Sequence, residues 1–317
     1  MNFQACFGTT GLAQVGFSSG FAQFTSYCPG GSLASDWDSP SGTPNAGEPI
    51  LNSSHGTHVA GIAAGGLKTT PAPTYRGMAS AANIAAVQIF SQRQGDSGPS
   101  LVNADLLSAL NLAVTALPSL PAGQQQPYTL NMSISAEFHA AACTTGNYAA
   151  YANAVLLLTN AGIPVVASTG NDGYDNAVGF PACLPQIIKV TASVNDGLGN
   201  SRGWFNGSQG GNVANPSAFG GTHWIAPGGG KPVKFGPINT FTRINSSINN
   251  SDYGNENGTS MAAPHITGAY AVAKGVNPAA PVADFTAWFI TRSIAVPITT
   301  TNPPGNFSIR RIYITLP

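Results

Sequence analysis

The stretch NGTSMAAPHITGAYAVAK, Asn257 to Lys274, decides how this chain is read. Gly258 and Thr259 lead into a run of small residues, with Ser260 at its mouth. Ala262, Ala263, Gly268, Ala269 and Ala271 let such a helix pack closely on a sheet. Pro264 is placed in the first turn, where a missing N–H costs nothing. The free amides and dipole of a helix start stabilise negative charge beside the serine. A serine hydroxyl attacks a carbonyl only when a base takes its proton and donors hold the oxyanion. Taken alone, Gly-Thr-Ser reads equally well as an ordinary small-residue helix with a capping serine.

Two stretches upstream supply the helpers. NSSHGTHVAGIAAG begins at Asn52; Val59, Ile62 and Ala63 share one helical face, and His55 lies a turn before Val59. Asn52, Ser53 and Ser54 are capping types, and Gly65–Gly66 stop the helix. VVASTGNDG, Val165 to Gly173, is a buried strand running into a turn in which the Asn171 amide can donate to an oxyanion. A plain turn asparagine is the alternative. His55 and His58 have the His-x-x-His spacing of a metal pair, but there is no glutamate between them as in HExxH and no third ligand nearby, so no metal is assigned. His58, and His265 within the serine helix, are read as structural.

Working outward, strand-like runs alternate with helical ones. Strands are expected at Ile84–Phe90, Tyr128–Ser135, Ile163–Ser168, Ile187–Val194 and Ser308–Thr315, and helices at Leu101–Leu117, Tyr148–Asn160 and Pro281–Thr291. Such alternation predicts an α/β fold: three αβα layers about a central, mostly parallel sheet with right-handed crossovers. Chemistry then gathers at the carboxyl ends of strands, in loops that lead to helices. The expectation is one domain over 1–317, with an irregular segment over 1–50 and a core over 51–295. A long polar loop separates Trp224 from Ser260.

Composition narrows the class. Hydrophobic residues make up 43%, enough for a core, while charged residues are only 8%, about a third of the usual share. With 38 Gly and 24 Pro, this reads as a loop-rich secreted protein. Twelve basic and twelve acidic residues without a basic cluster leave nucleic acid no electrostatic footprint. No run approaches the ~18 apolar residues of a membrane span, and NFQACFG after Met1 is not a signal peptide. The four cysteines are never spaced as CxxC, so disulfides are favoured over zinc or redox motifs. Cys6–Cys28 with Cys143–Cys183 is the preferred pairing because each closes a local loop; buried free thiols are the alternative.

Three signals in this order carry a resemblance. HGTHVAG (55–61), VVASTGN (165–171) and NGTSMAAPH (257–265) resemble the histidine, oxyanion-hole and serine motifs of the subtilisin-like serine proteases, the subtilase family (peptidase S8). RGMASAANIAAVQIF (76–90), NMSIS (131–135) and WIAPGG (224–229) are similar to further strands and loops of that family. The resemblance implies a subtilisin-like fold and serine-type endopeptidase activity. Ser260 is then nucleophile, His55 general base, and Asn171 with the Ser260 backbone N–H the oxyanion hole. It implies a protein or peptide substrate bound as an extended strand, with Ser133, Ile134, Ser135, Ser168, Thr169 and Gly170 as substrate-binding residues. No cofactor is identified; structural calcium is implied by the resemblance alone. A secreted monomer without nucleic-acid or membrane partners is expected.

Two departures stand out. The family's apolar strand ending in Asp-Ser/Thr-Gly is not found before His55; Asp36 and Asp38 follow Gly30, Gly31 and Ser32 rather than a buried strand. The chain is therefore expected to be truncated upstream of the triad aspartate and impaired in activity, the alternative being a non-catalytic, subtilase-like peptide-binding protein. Ser135 stands where the family usually has glycine, and a side chain there reshapes the first specificity pocket. An α/β-hydrolase is disfavoured, since Gly258-Thr-Ser-Met-Ala262 is not GxSxG and the histidine precedes the serine.

Overall fold

The computed structural model describes residues 3–17, 20–28, 54–67, 76–96, 98–119, 128–195, 201–204, 212–214, 216–219, 222–228, 244–248, 252–301 and 304–312. They gather into two compact units, Met1–Gly56 with Ala82–Gln125, and Thr57–Ala81 with Gln126–Pro317. Asp36 and Asp38 lie outside the described residues.

In the first unit the described residues of the segment 1–50, expected to be irregular, form strands. The unit holds β1 (Phe3–Cys6), β2 (Gly11–Gln14) and β3 (Phe21–Ser26). The strands are short, and in β2 and β3 exposure alternates while hydropathy does not follow it, since Leu12 and Phe21 are exposed and Ser26 is buried. The expected strand over 84–90 divides at Ile89 into β4 (Ala85–Gln88) and β5 (Phe90–Arg93). β4 runs parallel to β1, whereas β5 joins β2, β3 and β6 (Pro99–Leu101) in an antiparallel sheet. The α2 helix (Asn103–Ser119) buries Leu106 and Leu110 and continues through Pro118, which in the last turn removes only one helical bond. A Cys6–Cys28 disulfide and a Thr9 hydroxyl that donates to Asp105 Oδ2 (2.9 Å) tie the unit together.

In the second unit β7 (Leu130–Met132), β9 (Val165–Ser168), β11 (Ile188–Asn195) and β13 (His223–Pro227) pair in parallel, in that order. β17 (Pro304–Ile312) continues the parallel run through Trp224 and Arg310, with β16 (Ser293–Thr301) antiparallel beyond it. β12 (Ser201–Trp204) adds an antiparallel partner to β11. The sheet is thus mostly parallel, as expected, and β9 is buried along its whole length.

On one face lies α4 (Thr259–Val276), with α5 (Val282–Thr291) beside it. Ala262, Ala263, Ile266, Ala269 and Tyr270 pack with Val166, Ile188, Val190, Ala192 and Trp224, and Phe285 and Phe289 complete that core. The α3 helix (Ala149–Asn160) buries Tyr151, Ala154, Val155 and Leu158. Ile309 on β17 is fully buried, and Phe24 and Cys28 are buried in the first unit, so burial extends beyond 51–295 in both directions.

Two local findings differ from expectation. The polar loop before Ser260 contains a hairpin, β14 (Ile244–Ile248) with β15 (Asp252–Glu256). Pro264 is the sixth residue of α4, not part of its first turn, so its missing N–H deprives the Ser260 carbonyl of its helical donor.

Candidate active site

The site is built where α4 begins. Gly258, the N-cap, sits at φ +142°, a backbone region that side-chain-bearing residues avoid, and its amide donates to the Gly228 carbonyl (2.8 Å). Glycine has no side chain to cap the helix. The cap comes instead from Asn171, whose Oδ1 accepts the Thr259 amide (2.8 Å) and the Thr259 hydroxyl (3.1 Å). The Thr259 hydroxyl in turn accepts the Gly170 amide (3.2 Å). With Oδ1 committed to the helix, Nδ2 is the remaining arm of an exposed side chain, and it can only donate. Sequence reasoning found Asn171 but missed Thr259, whose hydroxyl fixes the turn that carries it.

Asn212 holds the same turn from the other side. Its Oδ1 accepts the amides of Asp172 and Tyr174 (both 3.0 Å), its Nδ2 donates to the Thr169 carbonyl (3.1 Å), and its own amide donates to the Gly170 carbonyl (2.8 Å). Gly170 needs its φ of +101° for this path. Asn212 is fully buried and was not singled out in the sequence, where no motif surrounds it.

Ser260 is the second residue of α4, so its amide is one of the four that have no intrahelical acceptor. Its hydroxyl faces the Ser133 carbonyl at 3.4 Å. The Ser133 hydroxyl donates to the Ser260 carbonyl (2.7 Å), the acceptor left open by Pro264. Behind it stands a relay: Asn131 Nδ2 donates to Ser133 Oγ (2.9 Å), and Thr267 of α4 donates to Asn131 Oδ1 (2.8 Å). The start of α4 is thereby fixed on the segment after β7.

Residues 133–135 leave β7 without joining a strand ladder. Ser168 Oγ donates to the Ile134 carbonyl (3.1 Å) and is itself buried; Thr169 is fully buried too. Among the six residues read as substrate-binding, Ser168 therefore supports the segment from beneath, while Thr169 is tied to Val190, Gly179 and Asn212 instead. Ser133 is buried, whereas Ser135 is exposed and its Oγ faces Gly170. The structure thus brings Ser133, Ile134, Ser135, Ser168, Gly170, Asn171 and Ser260 into one neighbourhood.

His55 is the second residue of α1 (Ser54–Ala64), in the first unit and half-buried. His58 is fully buried, and its Nε2 faces the carbonyls of Ile244 (3.0 Å) and Gly254 (3.2 Å), so it pins the β14–β15 hairpin. His265 Nδ1 donates to the Met261 carbonyl (2.8 Å), and burial lowers its pKa to about 4, which keeps it neutral. Both fit structural roles. Among the described residues, three metal-ligand side chains converge only at His139, Cys143 and Cys183, where both sulfurs are joined in a disulfide. That group does not fit the calcium implied by the resemblance, a cation that takes oxygen ligands.

A model of the Subtilase family matches residues 25–309. This chain belongs to the subtilase family. The "Extracellular protease" of Xanthomonas campestris pv. campestris is 29% identical over 238 residues, 74% of this subtilase and 35% of the relative. Subtilisin Savinase of Lederbergia lenta is 28% identical over 235 residues, 73% and 68% of the two chains. The solved structure of Sphericase superposes with a TM-score of 0.56 at 24% identity, covering 80% of this chain and 74% of that one. The α/β subtilisin-like fold is thereby shown. The present subtilase spans 35%, 26% and 45% of the length of the first three curated relatives it matches.

Proposed function

We propose that this subtilase is a secreted serine-type endopeptidase in which Ser260 attacks the peptide carbonyl. His55 takes the Ser260 proton and later returns it to the leaving amine. The oxyanion is held by Asn171 Nδ2 and the Ser260 amide. The observation that carries this reading is the double hydrogen bond from Thr259 to Asn171 Oδ1, which leaves the opposite, donating arm at the helix start that bears the serine. Export is supported by the two disulfides.

A triad needs a carboxylate to fix the histidine tautomer and to steady the imidazolium. In the sequence, no apolar run before His55 ends in Asp-Ser-Gly or Asp-Thr-Gly. In a subtilisin, loss of that acid alone lowers kcat by about 3 × 10⁴, roughly 6 kcal/mol of barrier. Turnover by these 317 residues alone is therefore proposed to be slow.

The test is covalent labelling by an organophosphonate probe and then peptide mass mapping. Label on Ser260, lost in Ser260→Ala and slowed in His55→Ala, supports the assignment. Labelling of Ser260 at an unchanged rate in His55→Ala would remove His55 from the base role.

A further inference from the structure

Three side chains able to ligate a metal meet at one end of a short strand pair. β8 (Ala136–His139) runs antiparallel to β10 (Val178–Phe180), with His139 opposite Val178. Cys143 lies in the loop after β8 and Cys183 in the turn after β10, and the Cys143 amide donates to the Cys183 carbonyl (3.2 Å). A ring nitrogen of His139 and the two sulfurs lie within 4.8 Å of one another. Bonds of ~2.3 Å to sulfur and ~2.0 Å to nitrogen place the ligands of a tetrahedral zinc ion roughly 3.5–3.8 Å apart. The two sulfurs, now bonded to each other, would have to part to that spacing; the imidazole is already within reach. No CxxC spacing marks this group in the sequence, because the strand pair assembles it.

The His139 ring is placed and left under-used. Its Nε2 is buried without a hydrogen-bond partner, a costly state for a polar atom. The edge of the Tyr148 ring packs on it, with centroids 4.9 Å apart and planes at 84°, and the Tyr148 hydroxyl is itself fixed by donating to the Glu137 carboxylate (2.8 Å). Burial lowers the pKa of His139 by more than the Glu137 carboxylate raises it. The ring is therefore held neutral, the form in which imidazole binds metals.

We infer that His139, Cys143 and Cys183 form a redox-gated site for a thiophilic divalent cation, zinc by its donor set, which opens when the Cys143–Cys183 disulfide is reduced. A dithiol reductant supplies two electrons and two protons: the S–S bond breaks, two thiols form, and the dithiol leaves as its own disulfide. Zinc then binds as both thiols release their protons, with two thiolates and one neutral imidazole as ligands. Water takes the fourth tetrahedral position. The ion joins the same two segments that the disulfide joins, so one linkage replaces the other. The site does not depend on the role of Ser260.

The test titrates Co²⁺, a spectroscopic stand-in for Zn²⁺, into the full chain without oxygen, either oxidised or reduced by a dithiol that is then removed. The reduced chain is expected to show thiolate-to-cobalt charge-transfer absorption that Zn²⁺ displaces, and the oxidised chain none. His139→Ala should weaken binding by more than about 10-fold, the least that even an outer-shell partner is worth. Cys6→Ala/Cys28→Ala should keep the absorption, and Cys143→Ala/Cys183→Ala should abolish it. Zn²⁺ should also raise the denaturation midpoint of the reduced wild type, followed by circular dichroism, but not that of reduced His139→Ala. Unchanged affinity in His139→Ala, or absorption that follows Cys6 and Cys28 instead, would overturn the inference. So would a reduced chain that binds no Co²⁺, or one that unfolds and is not restored by Zn²⁺.

Discussion

The Ser133 hydroxyl donates to the Ser260 carbonyl over 2.7 Å, taking the place of the amide hydrogen that Pro264 lacks. Proline at the sixth position of α4 thus converts a helical hydrogen bond into a bond between the helix and the segment after β7. Ser133→Ala leaves that carbonyl unpaired and is expected to cost about 1–3 kcal/mol. Replacing Pro264 with Ala restores an N–H, so the Ser133→Ala/Pro264→Ala pair should lose less than Ser133→Ala alone. A double-mutant cycle by chemical denaturation measures this; strictly additive losses would refute the substitution of one donor for the other.

Asn171 uses its two ends differently, and two variants separate them. Asn171→Asp keeps an acceptor for the Thr259 amide and hydroxyl but has no donor for an oxyanion. It is expected to fold with nearly unchanged stability while acylation falls about 10²–10³-fold. Asn171→Ala also loses the cap, which costs roughly a further 1 kcal/mol of stability. Denaturation midpoints and phosphonate labelling rates of the two variants, read together, check the division.

The parts legible in the sequence were those in which one residue type and its spacing act locally. The α1 helix, α4 and the buried strand β9 carry their own periodicity, small residues or apolar runs. The β14–β15 hairpin was not visible because Asn, Ser and Gly dominate it and no apolar alternation marks its faces. Its support comes from elsewhere in the chain, through His58. Asn212 was missed for the same reason: its four hydrogen bonds reach back about 40 residues to the turn around Gly170. The role of Ser133 could have been found, since Ser260 and Pro264 are four apart, the spacing at which a proline strips a carbonyl of its donor.

The His58 contacts give a direct test of the hairpin. His58→Ala leaves two carbonyls of β14 and β15 without their donor and is expected to loosen residues 244–256 before the rest of the unit. Hydrogen exchange should then speed up across β14 and β15, with β9 and β11 unchanged. Uniform acceleration through all strands would show that His58 supports the core rather than the hairpin.

The two disulfides close loops of different length. Cys6–Cys28 spans 22 residues and Cys143–Cys183 spans 40. In the chain-entropy picture they stabilise by about 3 and about 4 kcal/mol. Cys143→Ala/Cys183→Ala is therefore expected to lower the unfolding free energy, taken from midpoint and slope together, by more than Cys6→Ala/Cys28→Ala does. The reverse order would place the stabilisation in local packing instead of loop closure.

Burial of Lys189 is expected to shape stability at alkaline pH. Its ammonium is fully buried on β11, donates to the carbonyls of Leu184 (3.1 Å) and Ile187 (3.0 Å), and lies across the ladder from His223. Burial lowers its pKa from 10.5 to about 7, and burial together with Lys189 lowers that of His223 from 6.5 to about 3. Between pH 7 and 10.5 the unfolded chain binds a proton at Lys189 that the native state does not, so stability rises with pH across that window. Below pH 7 the Lys189 penalty is constant, and stability falls again from pH 6.5 toward 3 as His223 and His265 resist protonation. The Lys189 contribution is on the order of 5 kcal/mol between its two limits. Thermal unfolding measured from about pH 7 to about pH 10 should show a rising midpoint in the wild type and a flat one in Lys189→Met. A wild-type midpoint as flat as that of Lys189→Met over this range would mean that the native state holds the ammonium charged.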